Sequence, residues 1–204
     1  KNCSVENSAI TSPGSVGGLI GHAGGNPATY TTIVDCTVTG CTLSSSNSSD
    51  WRVGDLVGTA GIGQLTVDQN TVDSTTGNKR TQDSKEDNNN SIEDGLVGRA
   101  VLNETGLLVV AGKVTAAEGT VALVISAQGK TTTQHTSLDD AIKAATEGST
   151  VELLGDVTLK DTESLTISAG KELTLDLNGF TISQEKKQTK GHSLLTNNGT
   201  LTIK

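Results

Sequence analysis

The stretch Val16-Gly-Gly-Leu-Ile-Gly-His-Ala23 recurs twice downstream, as Val53-Gly-Asp-Leu-Val-Gly-Thr-Ala60 and as Glu93-Asp-Gly-Leu-Val-Gly-Arg-Ala100. The three copies align without a gap, and Leu19, Leu56 and Leu96 stand 37 and then 40 residues apart. A period of that size marks a repeat architecture, in which each unit is too small to bury its own apolar side and must stack on its neighbours. A second motif alternates with the first: Cys3-Ser-Val-Glu-Asn-Ser-Ala-Ile10, Cys36-Thr-Val-Thr-Gly-Cys-Thr-Leu43 and, more weakly, Leu65-Thr-Val-Asp-Gln-Asn-Thr-Val72. Cys36-Thr-Val-Thr39 alternates with period two, apolar side chains to one face and hydroxyls to the other, as a half-buried strand does. Each repeat therefore holds two short β segments joined by Gly-rich or Ser/Asn-rich turns.

Composition agrees. Trp51, Tyr30 and Phe180 are the only aromatics, so the apolar volume must come from Val, Leu, Ile and Ala. Side chains of that size fill thin stacked coils, whereas a wide globule would be left with gaps. Turns fall to Gly, Asn, Asp, Ser and Thr, because Pro is scarce. The net charge of −8 argues against a nucleic-acid partner, which would call for a basic stripe to neutralise phosphates. No apolar run approaches the ~20 residues that span a bilayer, so no membrane insertion is expected in this segment. The chain starts at Lys1, contains no Met and stops at Lys204 inside a strand-like pattern, so an internal piece of a longer protein is expected.

Three cysteines, Cys3, Cys36 and Cys41, are too few for a disulfide framework and include no C-x-x-C. Cys3, Cys36 and Leu65 share one slot of the second motif, so these thiols read as small core hydrophobes. A Cys3–Cys36 bond between adjacent coils is the alternative.

Gly18-Leu19-Ile20-Gly21 and Gly95-Leu96-Val97-Gly98 resemble the GLUG repeat, named for Gly-Leu-apolar-Gly. The middle copy departs from it, with Asp55 in place of the first Gly. The resemblance covers about the first hundred residues. It implies an extracellular, bacterial cell-surface location and an accessory solenoid with no activity of its own. Some proteins carrying this repeat are surface metallopeptidases, whose zinc helix needs His-Glu-x-x-His. None of His22, His135 and His192 sits in such a motif.

Between Ser74 and Asn90 the chain is polar throughout and is expected to be a long exposed loop. Asp87-x-Asn89-x-Ser91 has part of a calcium-loop spacing, but Ile92 stands where Gly is required and Gly98 where Glu is required. Leu107-Leu-Val-Val110 and Val121-Ala-Leu-Val-Ile125 read as strands closing the first segment. The spacing then predicts one helix over 137–147. Ser137 caps it, and Leu138, Ala141, Ile142 and Ala145 form one apolar stripe. Glu147-Gly148 stops it. Lying across the end of a solenoid, it would cover unpaired backbone. Short alternating strands follow: Val151–Leu154, Val157–Leu159, Leu165–Ile167, Leu173–Leu177, Phe180–Ile182 and Leu201–Ile203. Val151 to Leu173 and Leu173 to Leu201 define coils of 22 and 28 residues, the second enlarged by the basic excursion Gln184–Gly191.

This half resembles the opening of pectin-lyase-like β-helix domains of bacterial surface proteins, through Ser137-Leu-Asp-Asp-Ala-Ile142, Gly148-Ser-Thr-Val-Glu-Leu-Leu154, Leu173-Thr-Leu-Asp-Leu-Asn-Gly179 and Asn197-Asn-Gly-Thr-Leu-Thr-Ile203. The resemblance implies fold far more than function, since such an opening precedes lyases and adhesins alike.

The expected architecture is all-β: a right-handed parallel β-helix or β-solenoid with one short capping helix. A repeat segment spans 1–127, a linker 128–135, and a helix-capped second β-helix 136–204. No catalytic, cofactor or metal residues are assigned. Asp156, Asp161 and Glu163 form no acid/base pair by their spacing, and Thr-x-Thr stretches do not recur at the coil period, as an ice-binding face would need. Trp51 is the best single candidate for a ligand contact, although packing at the core edge is its more ordinary role. The expected function is a non-catalytic spacer or display scaffold in a secreted adhesin-like protein. Its loops would be available to host or cell-wall glycans or to surface proteins. The alternative is an accessory region of a carbohydrate-active enzyme or surface peptidase whose active site lies elsewhere.

Overall fold

The computed structural model describes residues 1–87, 91–102, 106–129, 132–185 and 193–204. They form two compact units, Lys1–Ala116 and Ala117–Lys204, each with its own apolar core. Both are built mainly of short strands.

The first unit is a set of five small ladders. Ser4–Glu6, Thr37–Thr39 and Thr75–Thr76 pair in parallel. So do Ala9–Ser12, Thr42–Ser45 and Lys79–Gln82, and Val16–Gly17 with Val53–Gly54. Ile20–Ala23, Val57–Ala60 and Val97–Ala100 make the fourth ladder; Tyr30–Ile33, Gly63–Val67 and Gly106–Val110 make the fifth. The chain visits the ladders in one fixed order and then repeats it. Parallel pairing needs such long returns, since strands of like direction cannot be joined by a tight hairpin. Stacking sets like on like: Ile20, Val57 and Val97 share one row, and Ala23, Ala60 and Ala100 another. The interior is aliphatic, with Val38, Leu43, Val53, Leu56, Val57 and Val97 fully buried.

Register confirms the alignment of the Gly-Leu-apolar-Gly copies and corrects the second motif. Cys3 and Cys36 do align, since Ser4 faces Thr37 and Val5 faces Val38. Leu65, however, faces Thr31 and Leu108, and Val67 faces Ile33 and Val110; Val38's third-coil neighbour is Thr75. Residues after Val67 turn instead into a helix, α1 (Gln69–Asp73), capped by Asp68, whose carboxylate accepts from the Thr71 amide.

The polar stretch after Ser74 is not simply an exposed loop. Thr75–Thr76 and Lys79–Gln82 extend two ladders, and Lys85–Glu86 folds back antiparallel on the second of them. A ladder is held by backbone hydrogen bonds, which a polar sequence supplies as well as an apolar one. Asn78 closes the corner between the two strands: its Oδ1 accepts from Cys41 N at 2.9 Å and its Nδ2 donates to Val38 O at 3.0 Å. Residues 88–90, and so part of the calcium-like spacing, lie outside the described residues, as does 186–192 with His192 and most of the basic excursion.

In the second unit one sheet runs in the order Thr132–His135, Ala122–Ile125, Ser149–Leu153, Glu172–Asp176 and Thr200–Ile203. Its first two pairings are antiparallel and the rest parallel. Val157–Leu159 pairs in parallel with Ile182–Gln184, and Leu165–Ile167 with Leu195–Asn197. Ala122–Ile125 and Thr132–His135 thus both belong to this sheet, and the units divide between Ala116 and Ala117, earlier than the linker expected at 128–135. Ser149 faces Leu173 and Val151 faces Leu175, a coil two residues longer than the Val151-to-Leu173 spacing. A slip of two keeps every side chain on its face, so alternation alone does not choose. The corners choose: Asn178 Nδ2 donates to Leu153 O at 3.1 Å, and Gly148 N to Glu172 O at 2.9 Å.

The expected helix is α2 (Leu138–Ala144), with Ser137 as cap and Leu138, Ala141 and Ile142 buried. It ends before Glu147-Gly148, because Lys171 caps it from the next coil. Lys171 Nζ donates to Ile142 O at 2.6 Å and to Lys143 O at 2.9 Å, satisfying carbonyls that a helix end leaves orphaned.

Candidate functional site

Trp51 sits where the loop after Thr42–Ser45 enters Val53–Gly54. The indole is partly buried against the core, and its Nε1 donates to Val53 O at 2.7 Å, which fixes the ring. The loop is held by Gln82, one coil further on and almost wholly buried. Gln82 Oε1 accepts from Arg52 N at 2.7 Å, and its Nε2 donates to Asp50 O at 2.8 Å and Ser49 O at 3.2 Å. Beneath, Ser45 Oγ donates to Gly14 O at 2.7 Å and accepts from Asn47 N at 3.1 Å. The result is a cleft of about 210 Å³, with Trp51 and Gln82 in its wall and Asn47, Asp83, Lys85 and Glu86 also lining it. Asp83 and Ser84 hold φ of 49° and 62°, the paired left-handed geometry of a tight hairpin turn, and this turn presents Lys85 and Glu86. The arrangement can offer one fixed aromatic surface beside amide, carboxylate and ammonium groups. Gln82 was invisible in the sequence: it stands in a stretch that reads as a solvated loop, and its partners come from the coil before.

A buried charge network explains the departure at Asp55. Arg80 Nη1 meets Asp55 Oδ2 at 2.7 Å and its Nε meets Asp87 Oδ2 at 3.0 Å; Ser91 Oγ donates to the same Asp87 oxygen. The guanidinium lies so close over Gly95 that a Cβ there would come 2.2 Å from Arg80 Cζ. One coil carries Asp to hold the guanidinium, and the next carries Gly to make room for it. Burial raises the Asp55 pKa above its ordinary value, outweighing the opposite pull of Arg80 and Asn78. The neighbouring cavity of about 480 Å³ is lined by Arg80, Asp87, Ser91, Glu93, Asp94, Gly95 and Lys113. Among the described residues no group of three or more His, Cys, Asp or Glu is placed to hold a metal ion.

In the second unit, Asp156 and Glu163 line a cavity of about 610 Å³ beside Ser137, Asp139 and Thr158. Both carboxylates serve turns. Asp156 Oδ1 accepts from Thr181 N and Oγ1, each at 2.8 Å, and these bonds lower its pKa. Glu163 Oε2 accepts from Lys160 N at 2.9 Å, while Asp161 contributes its carbonyl to Gln184 Nε2. Asp176 likewise accepts from Asn178 N at 3.0 Å, as turn chemistry requires.

His22 and His135 lie in different units, and His135 Nε2 meets Thr133 Oγ1 at 3.0 Å. All three cysteines are free thiols. Cys36 and Cys41 are buried, with their sulfurs against Val34 O and Thr39 O; Cys3, which the sequence suggested as a core hydrophobe too, is instead exposed at the edge strand Ser4–Glu6, which has no strand on its outer side.

No helix among the described residues is long and apolar enough to cross a membrane. No curated protein and no solved structure matches the chain. Residues 12–44, which contain the first Gly-Leu-Ile-Gly copy, match the GLUG motif.

Proposed function

We propose that this chain is a stretch of right-handed parallel β-helix serving as a non-catalytic spacer and display scaffold in a secreted bacterial surface protein. The observation that carries the reading is the fixed order in which the chain revisits its five parallel ladders. Such a path returns to the same face once per coil, and crossovers between parallel strands are right-handed in about 98% of cases. The GLUG match over 12–44 supports a repeat region, and through that resemblance the surface location. In the second unit the pectin-lyase-like opening is supported by the helix-capped run of parallel strands from Ser149 to Ile203. A scaffold of this kind acts by holding loops at set spacings. The cleft at Trp51 is the place on it where a host or cell-wall glycan would be met by an aromatic face.

The test is a glycan array probed with the intact chain and with Trp51→Ala. A parallel incubation with plant, host and bacterial polysaccharides measures new reducing ends. Binding that is lost in the variant supports display, and no binding with no product leaves the spacer role. Release of reducing ends that survives re-purification overturns the proposal.

A further inference from the structure

The glycines of the repeat fall into two sets that face opposite ways along the stack. A Cβ on Gly17 would meet Leu56 O at 2.6 Å and Gly58 N at 2.7 Å besides Ile20 O of its own coil, and one on Gly54 would meet Gly98 N and Val97 C besides Val57 O of its own coil. Leu56, Gly58, Val97 and Gly98 belong to the following coil. A Cβ on Gly58 would instead meet Val16 N at 2.5 Å and Gly21 O at 2.7 Å, and one on Gly98 would meet Val53 N at 2.5 Å and Gly58 O at 2.6 Å. These belong to the preceding coil. At Gly58 and Gly98 another coil's backbone occupies the space of a side chain; at Gly17 and Gly54 that space is shared between another coil's backbone and a carbonyl of the same coil.

The two ends of the series treat this rule differently. In the third coil the forward-facing position is Asp94, no longer glycine. There several ladders are also covered, since Lys85–Glu86 and Lys113–Thr115 fold back antiparallel on two of them and Ile92 bridges Val97 in the same sense. In the first coil the backward-facing position is still glycine, Gly21, in register with Gly58. Yet a Cβ on Gly21 would approach only its own coil, Ser15 O at 3.1 Å, and its φ is not left-handed. Amides of one coil donate to carbonyls of the next: Gly18 N to Asp55 O, Leu19 N to Leu56 O, then Asp55 N to Gly95 O and Leu56 N to Leu96 O. The acceptors equivalent to Asp55 O and Leu56 O in the first coil are Gly18 O and Leu19 O, on the open edge. Val5, Ile10, Leu19 and Ile20 on this coil are only partly buried, and Tyr30 is exposed.

We infer that the open edge of the first coil is a docking surface for one further coil of the same Gly-Leu-apolar-Gly repeat, stacked in parallel ahead of it. The occupant donates amides to Gly18 O and Leu19 O and lays its backbone over Gly21. This rests on the stacked-coil reading of the proposed function and adds the direction in which the stack grows.

The experiment duplicates the first coil. Residues 2–34 are repeated ahead of Asn2, a junction of the kind already present where Val34 leads into Asp35, since Asn2 and Asp35 share φ near 55° and 51°. Urea midpoints are measured for the 204-residue chain and the extended chain, each with and without Gly21→Ala in the copy that leads into Asp35. In the 204-residue chain the substitution shifts the midpoint far less than Gly58→Ala does. In the extended chain it lowers the midpoint as much as Gly58→Ala, and the amides of the added coil become protected from hydrogen exchange. Equal effects of Gly21→Ala in both chains, or an added coil whose amides exchange freely, overturn the inference. Failure of the stacked-coil reading itself gives a different result, in which Gly58→Ala is tolerated in the 204-residue chain.

Discussion

Replacing Gly58 by alanine probes the closest approach between coils with one methyl group. The new Cβ would sit 2.5 Å from Val16 N, 2.7 Å from Gly21 O and 2.8 Å from Val16 C, all backbone atoms of the coil before. Ordinary carbon contacts lie near 3.5 Å, so the two coils must part by roughly 0.9 Å. Leu19 N and Ile20 N both donate to Leu56 O at 3.1 Å, and that parting would carry them to about 4 Å, beyond hydrogen-bonding range. Two lost bonds cost about 2 kcal/mol net, and overpacking adds about 1–3 kcal/mol. The smaller unfolded-state entropy of alanine returns about 0.4–1 kcal/mol. The balance is a loss of about 3 kcal/mol, a large part of the 5–15 kcal/mol typical of a domain. With a urea slope of about 2 kcal/mol/M, the midpoint falls by about 1.5 M. Gly14→Ala is the control, since the nearest atom to its new Cβ is Ser12 Oγ at 3.9 Å and its φ is not left-handed; its midpoint should hold or rise slightly. Denaturation followed by far-ultraviolet circular dichroism decides the matter. A Gly58→Ala midpoint within 0.2 M of the control, a margin of about 0.4 kcal/mol at that slope, would refute close backbone stacking as the reason for the motif.

Gln82→Ala should release the loop around Trp51, at a cost of about 2 kcal/mol for a buried amide with three partners. Trp51 is the only tryptophan, so its emission should shift to the red and quench more readily with acrylamide; unchanged emission would count against the clamp. Lys171→Met keeps the aliphatic stem but strips the cap from Ile142 O and Lys143 O. The expected loss is about 1 kcal/mol, with faster amide exchange confined to α2 and its neighbours. Asp55 has its folded pKa raised by burial, so the stability linked to its titration is fully present below the unfolded pKa near 3.8 and is lost as pH rises through the folded value. The urea midpoint of the native chain minus that of Asp55→Asn should therefore be larger at pH 4 than at pH 7; the opposite trend would mean that the Arg80 pairing outweighs burial.

Much of this molecule was legible before any coordinates. The 37- and 40-residue spacing of Leu19, Leu56 and Leu96 survives as register in the fourth ladder. A composition almost free of aromatics matches rows of Val, Ile, Leu and Ala stacked on themselves. α2 was readable from Ser137 and the Leu138–Ala141–Ile142 stripe, because capping and periodicity are local properties. What escaped was set by distant partners. Leu65 resembled Cys36 in pattern, yet it stacks on Thr31 and Leu108, because a coil corner at Asp68 turns the chain into α1. Thr71, in a stretch that reads as a strand of the second motif, and Gln82, in one that reads as loop, are buried polar groups. They are buried because Cys36 N and Arg52 N, each about a coil away, supply their hydrogen bonds.

The repeat, its aliphatic filling and its glycine positions are written in the chain, since each follows from short-range pattern and from side-chain size. Three things are settled only when strands distant in sequence pair: the choice between registers two residues apart, the burial of Gln82 behind Trp51, and the reason Asp55 and Gly95 differ at one motif position. Period-two alternation is unchanged by a slip of two, and a polar side chain carries no local mark of the partner that will bury it. Asp55 and Gly95 make sense only around the guanidinium of Arg80, which folding brings between them.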